Sequence, residues 1–240
     1  MDSTCIDALR HNISAIRENI ANAAISSGRS PADVLLCAAC KTRTVDEVRT
    51  SAGMDIDIFG ENHAQELEEK FDAGAYLGKP GHFIGHLQTN KVKKVVGRAS
   101  LIQSVDSDRL LLAIDGEAGK KGLVQDILIE INIGGEASKS GIDEDSLYRL
   151  LDLAAPLKNV TVKGLMAIPP VCTDEITARK YFSAMRGLFE KAAGRHIENT
   201  CMDILSMGMT GDYTWAVLEG STMVRIGSGI YGPRDYSKNH

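Results

Sequence analysis

Lys41 ends the apolar run Val34-Leu35-Leu36-Cys37-Ala38-Ala39-Cys40, which sets a cation at the exit of what reads as a buried strand. An amine held among apolar walls loses hydration of its charged form, so its pKa falls and the neutral, nucleophilic amine becomes available for a Schiff base. A lysine that merely caps a strand at the surface is the plainer reading of this segment alone. Two later segments tip the balance. In Leu205-Ser206-Met207-Gly208-Met209-Thr210-Gly211-Asp212, small and hydroxyl-bearing residues precede a helix whose first amides attract an anion. In Arg225-Ile226-Gly227-Ser228-Gly229-Ile230, glycines allow close backbone approach and expose amides. Either loop alone could simply turn the chain; together they make a phosphate cradle.

A Schiff-base lysine beside a phosphate cradle points to pyridoxal phosphate. Alternation along the first strand puts Leu35, Cys37, Ala39 and Lys41 on one side, with the small Ala39 leaving space beneath an inward-facing lysine. Arg225 then lies nearest the pyridine ring. If it donates to the ring nitrogen, that nitrogen stays unprotonated and the ring is a weaker electron sink than one paired with an aspartate, which disfavours transamination. The alternative for Arg225 is a salt bridge to Asp235 or Glu219. No metal is expected. Cys37 and Cys40 have CxxC spacing, but residues three apart on a strand face opposite ways. The six histidines make no helical pair with a third donor.

The elements that must position these groups alternate. Ile6, Leu9, Ile13, Ile16 and Ile20 recur at three- and four-residue steps and predict an opening helix stopped by Gly28. Eight short apolar runs follow, at 34–40, 56–59, 82–85, 100–104, 126–131, 160–165, 203–206 and 223–226, with helical stretches between them. Thr44-Val45-Asp46-Glu47 is a capping box, and further helices are expected to begin near Asn62, Thr89, Asp106, Asp143, Thr173 and Gly211. Eight such units predict a (β/α)8 TIM barrel with an added N-terminal helix; a doubly wound open sheet is the other α/β solution. In such a barrel functional groups gather at the strand ends and phosphates sit after strands seven and eight, and closure puts Lys41 next to that cradle.

Composition narrows the function class. The 240 residues are 43% hydrophobic with no Pro- or Ser-rich divide, so residues 1–240 read as a single domain. Net charge is −5 and basic residues are dispersed, which argues against nucleic acid; Lys91-Val92-Lys93-Lys94 reads as a solvated helix face. The N-terminus lacks a signal-peptide pattern, no apolar stretch suits a bilayer, and five scattered cysteines suit a reducing compartment; the expected location is cytoplasmic.

Across most of its length the chain resembles the pyridoxal phosphate homeostasis protein family, also called YggS/PROSC. The matching segments include Cys40-Lys41-Thr42, Phe59-Gly60-Glu61-Asn62, His82-Phe83-Ile84-Gly85, Leu87-Gln88-Thr89-Asn90-Lys91, Ser138-Lys139-Ser140-Gly141, Gly164-Leu165-Met166-Ala167-Ile168-Pro169, Leu205-Ser206-Met207-Gly208-Met209 and Gly220-Ser221-Thr222-Met223-Val224-Arg225-Ile226-Gly227. The resemblance implies a barrel similar to the alanine racemase N-terminal domain, carrying pyridoxal phosphate as an internal aldimine on Lys41. It also implies phosphate contacts from Ser206, Gly208, Gly227 and Ser228, a ring-nitrogen contact from Arg225, and Asn62 near the cofactor. Cys40, His63, Gly81, His86 and Ser228-Gly229 depart from the usual serine, tyrosine, tryptophan, proline and Thr-Ala. His63 and His86 put the shape of the pocket mouth in question more than cofactor attachment.

The leading expectation is a monomer that holds, buffers or delivers pyridoxal phosphate, with pyridoxal-phosphate-dependent apoenzymes as partners and no catalytic residue of its own. A racemase using the same cofactor, and a cofactor-free Schiff-base aldolase, are the alternatives. Tyr231, Tyr236 and His86 are the local candidates for a racemase's second acid–base group, each read first as packing or rim. Lys139 reads as a solvated loop lysine, Met166, Met207 and Met209 as packing, and Trp215 as an anchor against the barrel.

Overall fold

The computed structural model describes residues 2–136 and 139–233. Its centre is a closed barrel of eight parallel strands in sequence order, each hydrogen-bonded to the next and β8 back to β1. Helix α1 (Ser3–Ser26) precedes strand β1 (Leu35–Ala39), and helix α2 (Val45–Ala52) leads to β2 (Ile58–Glu61). Helix α3 (Ala64–Asp72) and β3 (Gly81–Phe83) follow, then the one-turn α4 (Val92–Val95) and β4 (Leu101–Val105). Helix α5 (Asp108–Lys121), β5 (Gln125–Ile131), α6 (Glu144–Ala154) and β6 (Val160–Ala167) continue the alternation. It ends with α7 (Glu175–Ala193), β7 (Thr200–Ser206), α8 (Tyr213–Leu218), β8 (Met223–Ile226) and the one-turn α9 (Ser228–Tyr231).

All eight expected strands form, with shifted edges. Strand β2 starts later because the chain at Ile56 is still turning, its amide bonded to Met54 O at 2.9 Å. The helix expected near Thr89 is a 3-10 turn at Thr89–Lys91 followed by the single turn of α4. Several helix starts carry side-chain caps, though α3 and α8 carry none. Thr44 forms the capping box with Glu47, and Ser107, Asp143 and Asp174 cap α5, α6 and α7. The opening helix buries Leu9, Ile13, Ile16 and Ile20, each worth roughly 1.5–3 kcal/mol of apolar burial, and Gly28 leaves it at φ +74°. Asn12 and Asn19 tie α1 to Ile230 O and the Tyr213 hydroxyl, both at 3.0 Å, so it covers the β8 side of the barrel. Trp215 is half-buried against the core.

Inside the barrel Cys37, Ile58, Leu101, Leu128, Met166 and Met223 form an apolar layer, while Leu36, Ala38 and Cys40 face the helical shell. Cys37 and Cys40 therefore lie on opposite faces of the barrel wall. In β6, Val160, Val162 and Leu165 pack outward and Met166 inward, an alternation displaced by one residue at Gly164. There the register shifts, φ is +145°, and a Cβ would stand 1.9 Å from Ile204 O, so a side chain cannot fit. The extra residue turns Met166 into the interior.

Candidate functional site

The site lies where β1, β2, β7 and β8 end. Register pairs Ala39 with Gly60, so Lys41 and Asn62, each two residues on, leave the wall side by side. Lys41 is half-buried in the turn after β1. The loop after β8 presses against the same strand end: a Cβ on Gly227 would sit 3.3 Å from Ala39 O. Closure thus brings Lys41 to the Gly227 loop, as the strand count requires.

The two loops of the expected cradle are tied to each other. The Ser228 hydroxyl donates to Thr210 Oγ1 at 3.3 Å, and the Gly229 amide donates to the same oxygen at 3.2 Å. Gly208 holds φ +93° with Ala216 packed so close that a Cβ would meet its methyl at 2.6 Å, and Gly208 O accepts the Arg225 amide at 3.0 Å. The two loops therefore meet at Thr210, through Ser228 and Gly229. The Met209 amide is already committed to Asp212 Oδ1 at 2.6 Å, which shapes the loop from within.

Ser206, expected to contact the phosphate, is hydrogen-bonded within the barrel. It is the last residue of β7 and fully buried; its hydroxyl donates to Gln103 Oε1 at 2.7 Å and accepts from Arg225 Nη1 at 2.6 Å. The side chain holds an arginine within the barrel, whereas Gly227 and Ser228 are partly open to solvent. Arg225 also donates through Nη2 to Ala167 O at 2.9 Å, and these two bonds use two of the five donors of its fork. Glu219 pairs with Arg179 at 2.6 Å and so does not supply the alternative partner for Arg225; Asp235 lies outside the described residues.

The chain of bonds continues past Ser206. Gln103 Nε2 lies 2.9 Å from His82 Nδ1, and burial lowers the His82 pKa to about 3, so this imidazole is neutral and its Nδ1 accepts. Burial also pushes the Glu130 carboxyl on β5 up to about 7, with Asp106 raising it further and Arg225 opposing. The Cys37 thiol is pushed up to about 12 by burial and stays protonated. Sequence reasoning did not bring His82, Gln103 or Glu130 to the site. Each is a polar residue at an inward strand position, a signal that becomes visible once the register is known.

Asn62 Oδ1 is buried with no hydrogen-bond partner among the described residues. Its side chain borders a cavity of about 280 Å³ lined also by His63, Phe83, His86, Leu87 and Lys91. His86 is exposed, with Nδ1 3.4 Å from Ser140 Oγ and 3.7 Å from Asp106 Oδ2. Both unusual histidines thus border the space next to Asn62. Lys139 is tied to Pro169 O at 3.1 Å and to Glu136, and the Tyr231 hydroxyl is spent on Ser51 at 2.9 Å. Tyr236 lies outside the described residues. Met166 and Met207 are wholly buried packing.

Residues 5–235 match the family described as alanine racemase, N-terminal domain. The pyridoxal phosphate homeostasis protein of Aquifex aeolicus is 38% identical over 93% of this chain and 97% of its own length. A crystal structure of an unknown protein from Bifidobacterium adolescentis superposes with TM-score 0.90 at 33% identity, covering 96% of this chain and 97% of that one. PipY of Synechococcus elongatus, solved with pyridoxal phosphate bound, superposes with TM-score 0.77 at 29% identity, over 89% of this chain and 100% of that one. Alanine racemase of Clostridium difficile, at 16% identity and TM-score 0.73 over 95% of this chain and 57% of its own, shares the fold.

Proposed function

Because the chain belongs to the pyridoxal phosphate homeostasis proteins, within the alanine racemase N-terminal domain family, we propose that it binds pyridoxal phosphate covalently through Lys41 and serves intracellular homeostasis of that cofactor. The observation that carries this reading is the convergence at one end of the barrel: the β1 exit bearing Lys41 packs on the Gly227 loop, above an Arg225 fixed inside the wall. The residues fit the group. Asn62 Oδ1 is a buried acceptor without a donor among the described residues, and Gly208, Gly227 and Ser228 offer the close backbone approach that an anion needs. When bound, the cofactor supplies an aldehyde for the amine and an electron-withdrawing ring.

In this assignment Lys41 is the attachment point, and Gly208, Gly227 and Ser228 line the phosphate. Ser206 acts one step back by holding Arg225. The guanidinium stays charged, and a ring nitrogen placed against it remains unprotonated, which limits the ring's capacity to draw electrons. On this reading the protein is a carrier of the cofactor rather than a catalyst of amino-acid turnover. The wider reading is a single-domain cytoplasmic monomer that passes the cofactor to apoenzymes. No helix among the described residues is long and apolar enough to cross a membrane.

Borohydride reduction of the loaded protein followed by peptide mapping tests the assignment. The adduct is expected on Lys41, and Lys41→Ala should fold normally while losing it, since Lys41 sits in a turn outside the core. An adduct on Lys91 or Lys139 would overturn the attachment point. α-Proton exchange with D- and L-alanine is expected to be negligible; turnover of roughly 1 s⁻¹ or more, abolished by Lys41→Ala, would replace the carrier by the racemase.

A further inference from the structure

The two peptide groups that flank Lys41 are both gripped by α3. The carbonyl of Cys40 belongs to the peptide before Lys41 and accepts from Lys70 Nζ at 2.8 Å. The amide of Thr42 belongs to the peptide after it and donates to Glu66 Oε2 at 3.0 Å. A planar peptide held at its polar atom has little freedom, so fixing both planes fixes φ and ψ of Lys41 and hence the direction of its Cα–Cβ bond. The turn needs holding. Thr42 sits at φ +65°, a left-handed conformation costing a β-branched residue about 1–2 kcal/mol.

The grip is built from buried charge. The Lys70 side chain is 2% exposed, with Nζ 2.7 Å from Glu61 Oε1 and 3.6 Å from Glu66 Oε2. Glu61 Oε1 also accepts the Cys40 thiol at 2.8 Å, while Oε2 is buried without a partner among the described residues. Burial opposes protonation of Lys70, but its neighbours, Glu61 through charge and hydrogen bond and Glu66 through charge among them, together outweigh it and the ammonium is held above its ordinary value. Well-packed apolar residues of similar volume would often stabilise such a place as well or better, so stability alone is a weak account of an ion pair here. What it contributes on this geometry is the orientation of one backbone segment.

We propose that Glu66 and Lys70 are positioning residues for Lys41, clamping its two flanking peptides so that the amine leaves the wall toward the Gly227 loop. The inference rests on Lys41 being the attachment point. It is tested on the full chain with Glu66→Ala, with Glu66→Gln, which keeps an acceptor for the Thr42 amide, and with Glu69→Ala as a control on the exposed side of α3. Pyridoxal phosphate is titrated by its visible band, borohydride trapping is quantified at Lys41, and thermal midpoints are recorded. Losing one charge-assisted bond to the turn should weaken binding roughly tenfold in Glu66→Ala, with trapping slowed and the adduct still on Lys41. Glu66→Gln should recover most of it, and Glu69→Ala should match the parent. Should Glu66→Ala fold poorly, Glu66→Asp withdraws the oxygens by one methylene and should lose binding in the same direction. Parental binding and trapping in Glu66→Ala or in Glu66→Asp would overturn the clamp, as would equal losses in Glu66→Ala and Glu66→Gln that track their thermal midpoints. If the parent itself shows no adduct at Lys41, it is the attachment reading that fails.

Discussion

Ser206 shows how far a single residue can be read. A small hydroxyl residue before glycines suits a phosphate loop, and the sequence reading used it so. Its position as the inward end of β7, in register with Met166 and Met223, bonds it to Arg225 and Gln103. Ser206→Ala should leave a guanidinium N–H and an amide oxygen unpaired in a buried interior, costing about 1–3 kcal/mol of stability. It should also loosen Arg225. A fall in the urea midpoint together with faster cofactor loss on dialysis is the expected result; an unchanged midpoint would mean that the buried bonds are replaced. Lys41 was legible as a candidate, an amine at the end of an apolar run, and became the favoured attachment point only with the two later loops set beside it. His82 and Gln103 were not, because a histidine and a glutamine become a bonded pair only when β3 and β4 are placed side by side.

Elements were legible where side chains mark their ends and obscure where backbone geometry decides. Thr44 announces α2 through a capping box that the structure contains. The expected strand at 160–165 stops short of the part of β6 that matters, because Gly164 displaces the alternation and its φ of +145° is open to glycine alone. Without that displacement Met166 would face the shell and Ala167 the interior, and the Ala167 carbonyl would no longer be presented to Arg225 as it is, at 2.9 Å. Gly164→Ala forces Ile204 O away from a 1.9 Å approach, so it should destabilise by about 3 kcal/mol or more and weaken cofactor binding through Arg225. Chemical denaturation checks the first part. Gly187→Ala, where nothing lies within 4 Å of an added Cβ, is the matched substitution expected to be tolerated.

At the scale of the molecule, eight alternating apolar runs made barrel closure readable, but not what closure encloses. The ring places β3, β4, β5, β7 and β8 around one interior, and so gathers His82, Gln103, Glu130, Ser206 and Arg225 from positions far apart in sequence. That interior should titrate. Glu130 has its pKa raised by burial, and by Asp106, from 4.5 to about 7, so the folded state holds its proton more tightly than the unfolded chain does. The stability it contributes is present below about pH 4.5 and is lost as pH rises through about 7. Glu130→Gln keeps shape and hydrogen-bonding capacity without the charge. Relative to the parent it should therefore gain stability at pH 8 by roughly 2–3 kcal/mol more than at pH 5, from about 1.4 kcal/mol per pKa unit. His82, lowered to about 3, titrates in the opposite sense, and Glu61, raised to about 7 by burial, in the same sense as Glu130. Both are common to the two proteins and cancel in the comparison. Urea midpoints of parent and variant at pH 5 and pH 8 give the answer, and a gain equal at both pH values would mean that Glu130 is already ionised inside the barrel, held so by Arg225.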